Sequence, residues 1–350
     1  MSTPNSINPN LHIEDISSYG MDNGNGNLIA IQPFMEVGDY ASAEHFSTKL
    51  DGYLQEVQAQ YWLCAKSIVI FPEYIGTWLV AVGEDDAIFQ ADSLETAVKQ
   101  MIRTNLIKFT KTLLHTKSRN KIIDAIFRMK AKEMAHIYQE TFSQLAQNYQ
   151  VTVVAGSIVL PEPQIVDGEL VVGNGRLQNI SIVCKPDGTL HPHIIRKIFP
   201  VHLETTFLDA AQPTELPNFD TPAGKLGVLI CADSWYPEAY APLAEQNVEL
   251  IVVPNNQGNW HHSWPGYATE YIPADVDLQD VMHLTEKEAW LKYALAGRMR
   301  STSATIGIHV FLHGRIWDQI GDGQTIIVHN EGLITAPYVS RAALVNVWLD

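Results

Sequence analysis

Hydrophobic positions along the chain fall into two alternating rhythms. The apolar run "NLIAIQP" at 27–33 predicts a buried strand. Over 42–66, Leu50, Leu54, Val57, Tyr61 and Cys64 recur at three- and four-residue spacings, the stripe of an amphipathic helix with Cys64 as a small core residue. "SIVIF" (67–71) predicts a second buried strand, stopped by Pro72. Leu94, Val98, Ile102, Leu106, Phe109 and Leu113 mark a helix over 94–115, and another covers about 120–149. Strand rhythm then takes over at 151–160, 168–172, 177–184 and 191–199, and the Gly-Asn-Gly at 173–175 reads as a hairpin turn. The alternation resumes with a strand at 227–231, a helix near 235–247, a strand at 249–254 and a helix near 285–302. Apolar runs at 304–312, 323–329, 332–336 and 342–349 close the chain. Helices alternating with strands in both halves, with hairpins between and after them, predict a layered α/β (α+β) fold.

The order of these elements shows no internal repeat and no Pro- or Gly-rich linker, so residues 27–350 read as one domain. The first 26 residues are rich in Asn, Ser and Gly, without a basic start or an apolar stretch; they read as a flexible tail rather than a secretory signal. Apolar runs are strand-sized, far short of the ~20 residues that a membrane-crossing helix needs. A chain of 350 residues that is 46% hydrophobic can bury one large core or two ordinary ones. Its three cysteines, Cys64, Cys184 and Cys231, show no C-x-x-C spacing, which argues against a disulfide framework and for a reducing, cytoplasmic setting.

Net charge is −16, which disfavours a nucleic-acid binder. The charge is uneven. Between Lys99 and Lys132 ten Lys or Arg residues face a single acid, Asp124, a local charge of about +9. Such a segment suits helices docked on an acidic surface of their own chain or of a subunit partner; an anionic ligand or surface is the alternative.

Candidate chemistry starts at "LGVLICADSWYPE" (226–238), where a buried strand runs into Cys231. A cysteine there is either a small buried hydrophobe or a nucleophile held at a sheet rim. In the second case, free N–H groups of the following turn would lower its pKa and receive an oxyanion. A nucleophile needs a base and a group to neutralise the charge that builds on substrate. Glu73 follows the 67–71 strand and a proline, so its carboxylate lies at a strand end as well. Lys197 interrupts the apolar run "HIIRKIF" on the face of Ile195 and Phe199, a costly position for a charge without a partner or a task. His191, His193, His261 and His262 have no carboxylate at ligand spacing, so no metal site is read there. Asp233 reads as the cap of the next helix, with Pro237 and Glu238 in its first turn.

"FPEYIGTW", "IIRKIFPVHLE" and "GVLICADSWYPE", in that order, resemble the motifs of the nitrilase superfamily of carbon–nitrogen hydrolases, the last as C-x-D-x-x-x-P-E. The likeness extends over most of 27–349 and is poorest at about 85–135 and 259–285, which look like a helical and a loop insertion. It implies a four-layer αββα sandwich, no metal or organic cofactor, and a homodimer or larger homo-oligomer. It also implies a triad of Glu73 as general base, Lys197 as electrostatic stabiliser and Cys231 as nucleophile. Glu204 is the candidate for a second glutamate near the lysine, one residue closer than the family spacing, with Asp209 as substitute. The Ala232 N–H would join Lys197 at the oxyanion. Cys-Ala-Asp, where nitrilases proper show Cys-Trp-Glu, implies an amide or N-carbamoyl small molecule as substrate, with a nitrile as alternative. Tyr74, Trp78, Trp235, Asn255, Asn256 and Trp260, on loops after the strands, are the candidate pocket walls. A catalytically silent scaffold that binds a partner through the basic segment is the reading from another class.

Overall fold

The computed structural model describes residues 9–266, 272–329 and 332–350. Two six-stranded sheets form its centre. The first runs in the order Ile13–Tyr19, Ala342–Trp348, Asn27–Gln32, Ser67–Ile70, Thr152–Val154 and Val183–Cys184. The second runs Asn218–Thr221, Gly224–Val228, Leu250–Asn255, Ile306–Phe311, Ile326–His329 and Gly332–Thr335.

Alternation along the strands sorts side chains between layers. Ile29, Ile31, Val69 and Val153 pack with Phe46, Leu50, Leu54 and Val57 of the helix Ala43–Ala59 and with Met134, Tyr138 and Phe142 of the helix Lys121–Tyr149. Their neighbours Leu28, Ala30, Ile68, Ile70 and Val154 turn the other way, into a cluster with Leu226, Val228, Val252 and Ile308 of the second sheet. The far face of that sheet is covered by Ala239, Tyr240 and Leu243 of the helix Pro237–Glu245 and by Ala289 and Trp290 of Glu286–Tyr293. The fold is therefore an αββα sandwich. Asn27–Gln32, Ser67–Ile70 and Thr152–Val154 are mutually parallel, as are Gly224–Val228, Leu250–Asn255 and Ile306–Phe311. Parallel strands present their C-terminal ends on one rim, and the segments holding Glu73 and Cys231 leave from such ends.

Several elements differ from the sequence reading. Ile13–Tyr19, within the expected tail, is a strand paired in parallel with Ala342–Trp348; its polar make-up on an outer, half-exposed edge hides it from a periodicity argument. The first helix stops at Ala59, so Cys64 lies beyond it and is exposed, not in the core. The 94–115 helix breaks at Asn105 into Leu94–Thr104 and Leu106–Leu113, and the 285–302 helix breaks after Tyr293. Gly-Asn-Gly at 173–175 is not a turn. It lies inside the strand Glu169–Ser181, where a bulge centred on Glu162 lets that carboxylate accept hydrogen bonds from Asn174 N (3.0 Å) and Gly175 N (2.7 Å). The hairpin closes instead at Asp167-Gly168, both at positive φ (53° and 85°), the backbone a two-residue turn demands. The lysine strand is only Ile195–Arg196, so Lys197 leaves the sheet at once.

Candidate active site

Three loops converge where the two sheets meet. Phe71 N still bonds Val154 O, extending the ladder past the strand Ser67–Ile70, and Pro72 then releases the chain at Glu73. Tyr74 sits at φ 63°, its N–H held by Ser157 Oγ (2.9 Å), and this turn fixes Glu73 pointing inward. Lys197 is pinned by its own N–H to Asn179 O (2.9 Å). On the third loop Leu229 N bonds Val252 O, and the chain then enters the 3-10 turn Cys231–Trp235 with Cys231 at φ 50°. A non-glycine residue in the left-handed region carries strain of about 1–3 kcal/mol and persists only where its surroundings impose it.

Asp233 imposes it. Its Oδ2 accepts from Ile230 N (3.2 Å), and its Oδ1 accepts from Ile198 N (3.0 Å) and Phe199 N (2.7 Å). The fully buried carboxylate thus ties the cysteine turn to the lysine loop; burial pushes its pKa to about 7 against those N–H donors and Lys197. This corrects the reading of Asp233 as cap of the following helix, which begins at Pro237 without a side-chain cap. Pro237 and Glu238 do occupy that helix's first turn. Asp233→Ala is expected to lower stability by about 3 kcal/mol or more, since three buried N–H groups lose their acceptor. Asp233→Asn, which keeps one oxygen, is expected to lose less; a urea midpoint for the alanine variant equal to that of the parent would contradict the clamp.

The charged groups meet within hydrogen-bond distance. Lys197 Nζ lies 2.8 Å from Glu73 Oε1 and 2.7 Å from Glu204 Oε2. Glu204 also accepts from Val201 N (2.7 Å) and from the Tyr74 hydroxyl. Asn179 Nδ2 donates to Glu73 Oε1 (2.9 Å). Glu73, Lys197 and Cys231 are 1%, 2% and 6% exposed, so what solvent contact the trio retains falls mainly on the cysteine. Burial raises the Glu73 pKa against the pull of Lys197. Burial works against the Lys197 charge too, but Glu204 and Glu73 outweigh it and hold the ammonium well above its ordinary range. The Cys231 thiol is pushed up by burial and then by the nearby Glu73 carboxylate, against the pull of Lys197. The expected lowering by turn N–H groups is therefore overridden, and burial favours the neutral thiol beside the Glu73 carboxylate.

Of the other sequence candidates, Glu204 joins the lysine, whereas Asp209 lies 3.5 Å from Arg176 instead. Ala232 is the second residue of the 3-10 turn, where a backbone N–H has no partner within the turn. Tyr74 borders the site, with Lys197 Nζ 6.0 Å from its ring centre. The remaining pocket candidates fall elsewhere. Trp235 and Trp260 are wholly buried in an aromatic cluster with Trp264 and Trp290, where they pack the second core. Asn255 Nδ2 donates to Val253 O (2.5 Å) and lies 2.9 Å from His309 Nδ1. Trp78 and Asn256 line a cavity of about 470 Å³ with Leu312, Ile316 and Asp322. Sequence reasoning missed Asn179. Its signal was a polar residue two positions from Leu177 and Ser181 on the inward side of a strand, the same signal that exposed Lys197.

The paired-sheet sandwich thus brings a buried carboxylate, ammonium and thiol together at its sheet rims. The chain belongs to the carbon–nitrogen hydrolase family, whose model matches residues 32–271. Among solved structures it is similar to an amidase of the nitrilase superfamily from Nesterenkonia AN1, at 12% identity over 95% of this chain and 94% of that one, with a TM-score of 0.58. It is also similar to a carbon–nitrogen hydrolase from Helicobacter pylori G27, at 16% identity over 92% and 88%, with a TM-score of 0.56. Among curated proteins it matches the probable hydrolase YhcX of Bacillus subtilis at 26% identity over 122 residues, which is 35% of this chain and 21% of that protein. Among the described residues, no helix is long and apolar enough to cross a membrane.

Proposed function

We propose that the protein hydrolyses an amide or N-carbamoyl group of a small molecule through a thioester on Cys231. The observation that carries this reading is the buried Glu73–Lys197 contact of 2.8 Å, with the buried Cys231 thiol electrostatically coupled to both groups. A protonated thiol and a carboxylate of raised pKa are matched for transfer: Glu73 takes the Sγ proton as sulfur attacks the carbonyl carbon. The carbonyl oxygen gains the electron pair, and Lys197 with the Ala232 N–H stabilises it. Glu73 returns the proton to nitrogen, the C–N bond breaks, and ammonia or an amine leaves. Water, deprotonated by Glu73, then cleaves the thioester to the acid and restores the thiol. Glu204 holds the Lys197 ammonium as a second carboxylate partner, and Asn179 and Asp233 act as positioning residues. The Cys-Ala-Asp sequence favours amides and carbamoyl groups over nitriles. Assembly into a homodimer or larger homo-oligomer belongs to the same reading.

Its test is turnover of a panel of small amides, N-carbamoyl compounds and nitriles; ammonia release from nitriles, with no ammonia or amine from the other two classes, would sink the substrate assignment. pH supplies a further one. Glu73 must be ionised to accept the thiol proton, and burial raises its pKa, so kcat/KM is expected to fall on the acid side at a pH above the ordinary glutamate range of ~4.3. Asn179→Ala removes a hydrogen bond that favours the charged carboxylate, so this limb is expected to move to higher pH while kcat drops about tenfold. An unmoved limb in Asn179→Ala would remove Asn179 from the account.

A further inference from the structure

A second cavity, of about 360 Å³, opens beside the turn that carries Glu204, with Lys117, Arg119, Arg176, Thr205, Thr206 and Phe207 among its walls. Three cations share this space. Arg176 lies 3.5 Å from Asp209, both largely exposed, and among the described residues neither Lys117 nor Arg119 has a carboxylate within 4 Å. The one acid of the basic segment, Asp124, is turned away from the cavity and spent on the backbone: it is fully buried, and its Oδ2 accepts from Lys117 N (2.7 Å) and Ser118 N (2.8 Å) while Arg128 binds its Oδ1. The loop so fixed is tied to the Glu204 turn by Asn120 N, which donates to Thr206 O (2.9 Å). Arg128 also donates to Asn174 O (3.3 Å) and to Gly175 O, anchoring the strand next to Arg176. The three cationic side chains thus extend from backbone that is held at both its contacts. In a chain of net charge −16, cations gathered at one cavity repel each other unless an anion joins them. Phe207, stacked on Phe127 at an interplanar angle of 18°, gives the cavity one apolar wall.

We propose that this cavity binds the oxyanion group of a small molecule, a carboxylate or a phosphate, through Lys117, Arg119 and Arg176. Guanidinium groups take such planar or tetrahedral oxyanions by paired hydrogen bonds, and Lys117 adds a point charge. The anion is either the far end of the enzyme's own substrate or a separate effector acting through the turn Glu204–Thr206. Binding itself does not depend on the chemistry proposed for Cys231.

The test is calorimetric titration of inorganic phosphate at low ionic strength into the full chain, the double variant Arg119→Gln/Arg176→Gln, and Cys231→Ala. Saturable binding is expected in the parent and in Cys231→Ala, weakened at least tenfold in the double variant and by added salt. Lys99→Gln, outside the cavity, serves as the charge control and is expected to bind as the parent does. Absence of saturable binding, or equal affinity in the double variant whose circular dichroism matches the parent, overturns the proposal. Turnover then separates the sources. An anionic substrate end predicts a KM raised tenfold in the double variant for an amide bearing a distal carboxylate but not for its methyl ester, with phosphate competing. An effector predicts unchanged KM for both, and a phosphate-dependent kcat that the double variant loses.

Discussion

Lys197→Ala is expected to lose about 10³-fold in kcat/KM and to unfold more easily by about 3–5 kcal/mol. The two losses have one origin. Lys197 Nζ is 2.8 Å from Glu73 and 2.7 Å from Glu204, and all three side chains are almost wholly buried. Without the ammonium, two carboxylates remain in a space where neither can be ionised cheaply, and one takes up a proton. Their folded-state pKa values then lie above those of the unfolded chain. Sign follows from that: the variant is least handicapped below the ordinary carboxylate range, and its deficit grows as pH rises through the raised folded-state values. Thermal melts at pH 5 and pH 8 measure this. A difference from the parent that is the same at both pH values would show that the lysine does not neutralise the pair. Lys197→Arg keeps the charge but not the geometry of a compact ammonium, so it is expected to recover stability more than activity.

Cys231→Ala is expected to remove amide turnover by about 10⁴-fold or more, because the groups hydrogen-bonded to Glu73, the Lys197 ammonium and the Asn179 amide, are not nucleophiles in that state. Stability is expected to change little. Alanine inherits the positive φ of 50° with its strain, and the Asp233 clamp that imposes the conformation is untouched. Cys231→Gly adopts that φ freely, so it is expected to be at least as stable as the alanine variant and equally inactive. Urea midpoints with activity assays on the same preparations separate the two effects. Residual turnover above about 1% of the parent in either variant would assign the nucleophile elsewhere.

What the amino-acid pattern revealed, and what it hid, divides along a physical line. Glu73 and Cys231 were visible because each ends an apolar run, and a polar group at the end of a buried strand is a local feature. Lys197 was visible as a charge on an apolar face, whereas Glu204 came only from the family resemblance. A layered α/β fold followed from helices alternating with strands, but the four αββα layers came from the family resemblance; the apolar run Leu28–Ile31 does not by itself say that its two faces serve two cores. Asn179 and the actual task of Asp233 were hidden, since their partners, Glu73 and the 198–199 backbone, are remote in sequence. Trp235, Asn255 and Trp260 misled for the converse reason. A loop position after a strand says nothing about whether the side chain turns toward an opening or, as Trp235 and Trp260 do, into the second core, or, as Asn255 does, onto buried polar partners. Ile13–Tyr19 was missed because half-exposed edge strands need little hydrophobic patterning, and the bulge at Glu162 because glycines that admit a carboxylate look like glycines that make a turn.

The central claim is that the sulfur of residue 231 carries the acyl group between two proton transfers through one carboxylate. Acid-quenched reactions with turned-over amides, digested and analysed by mass spectrometry, test it most directly. The account predicts an acyl adduct on the peptide containing Cys231, released by hydroxylamine as a thioester and absent from Cys231→Ala. An adduct on any other residue, or sustained amide turnover by Cys231→Ala, would contradict it.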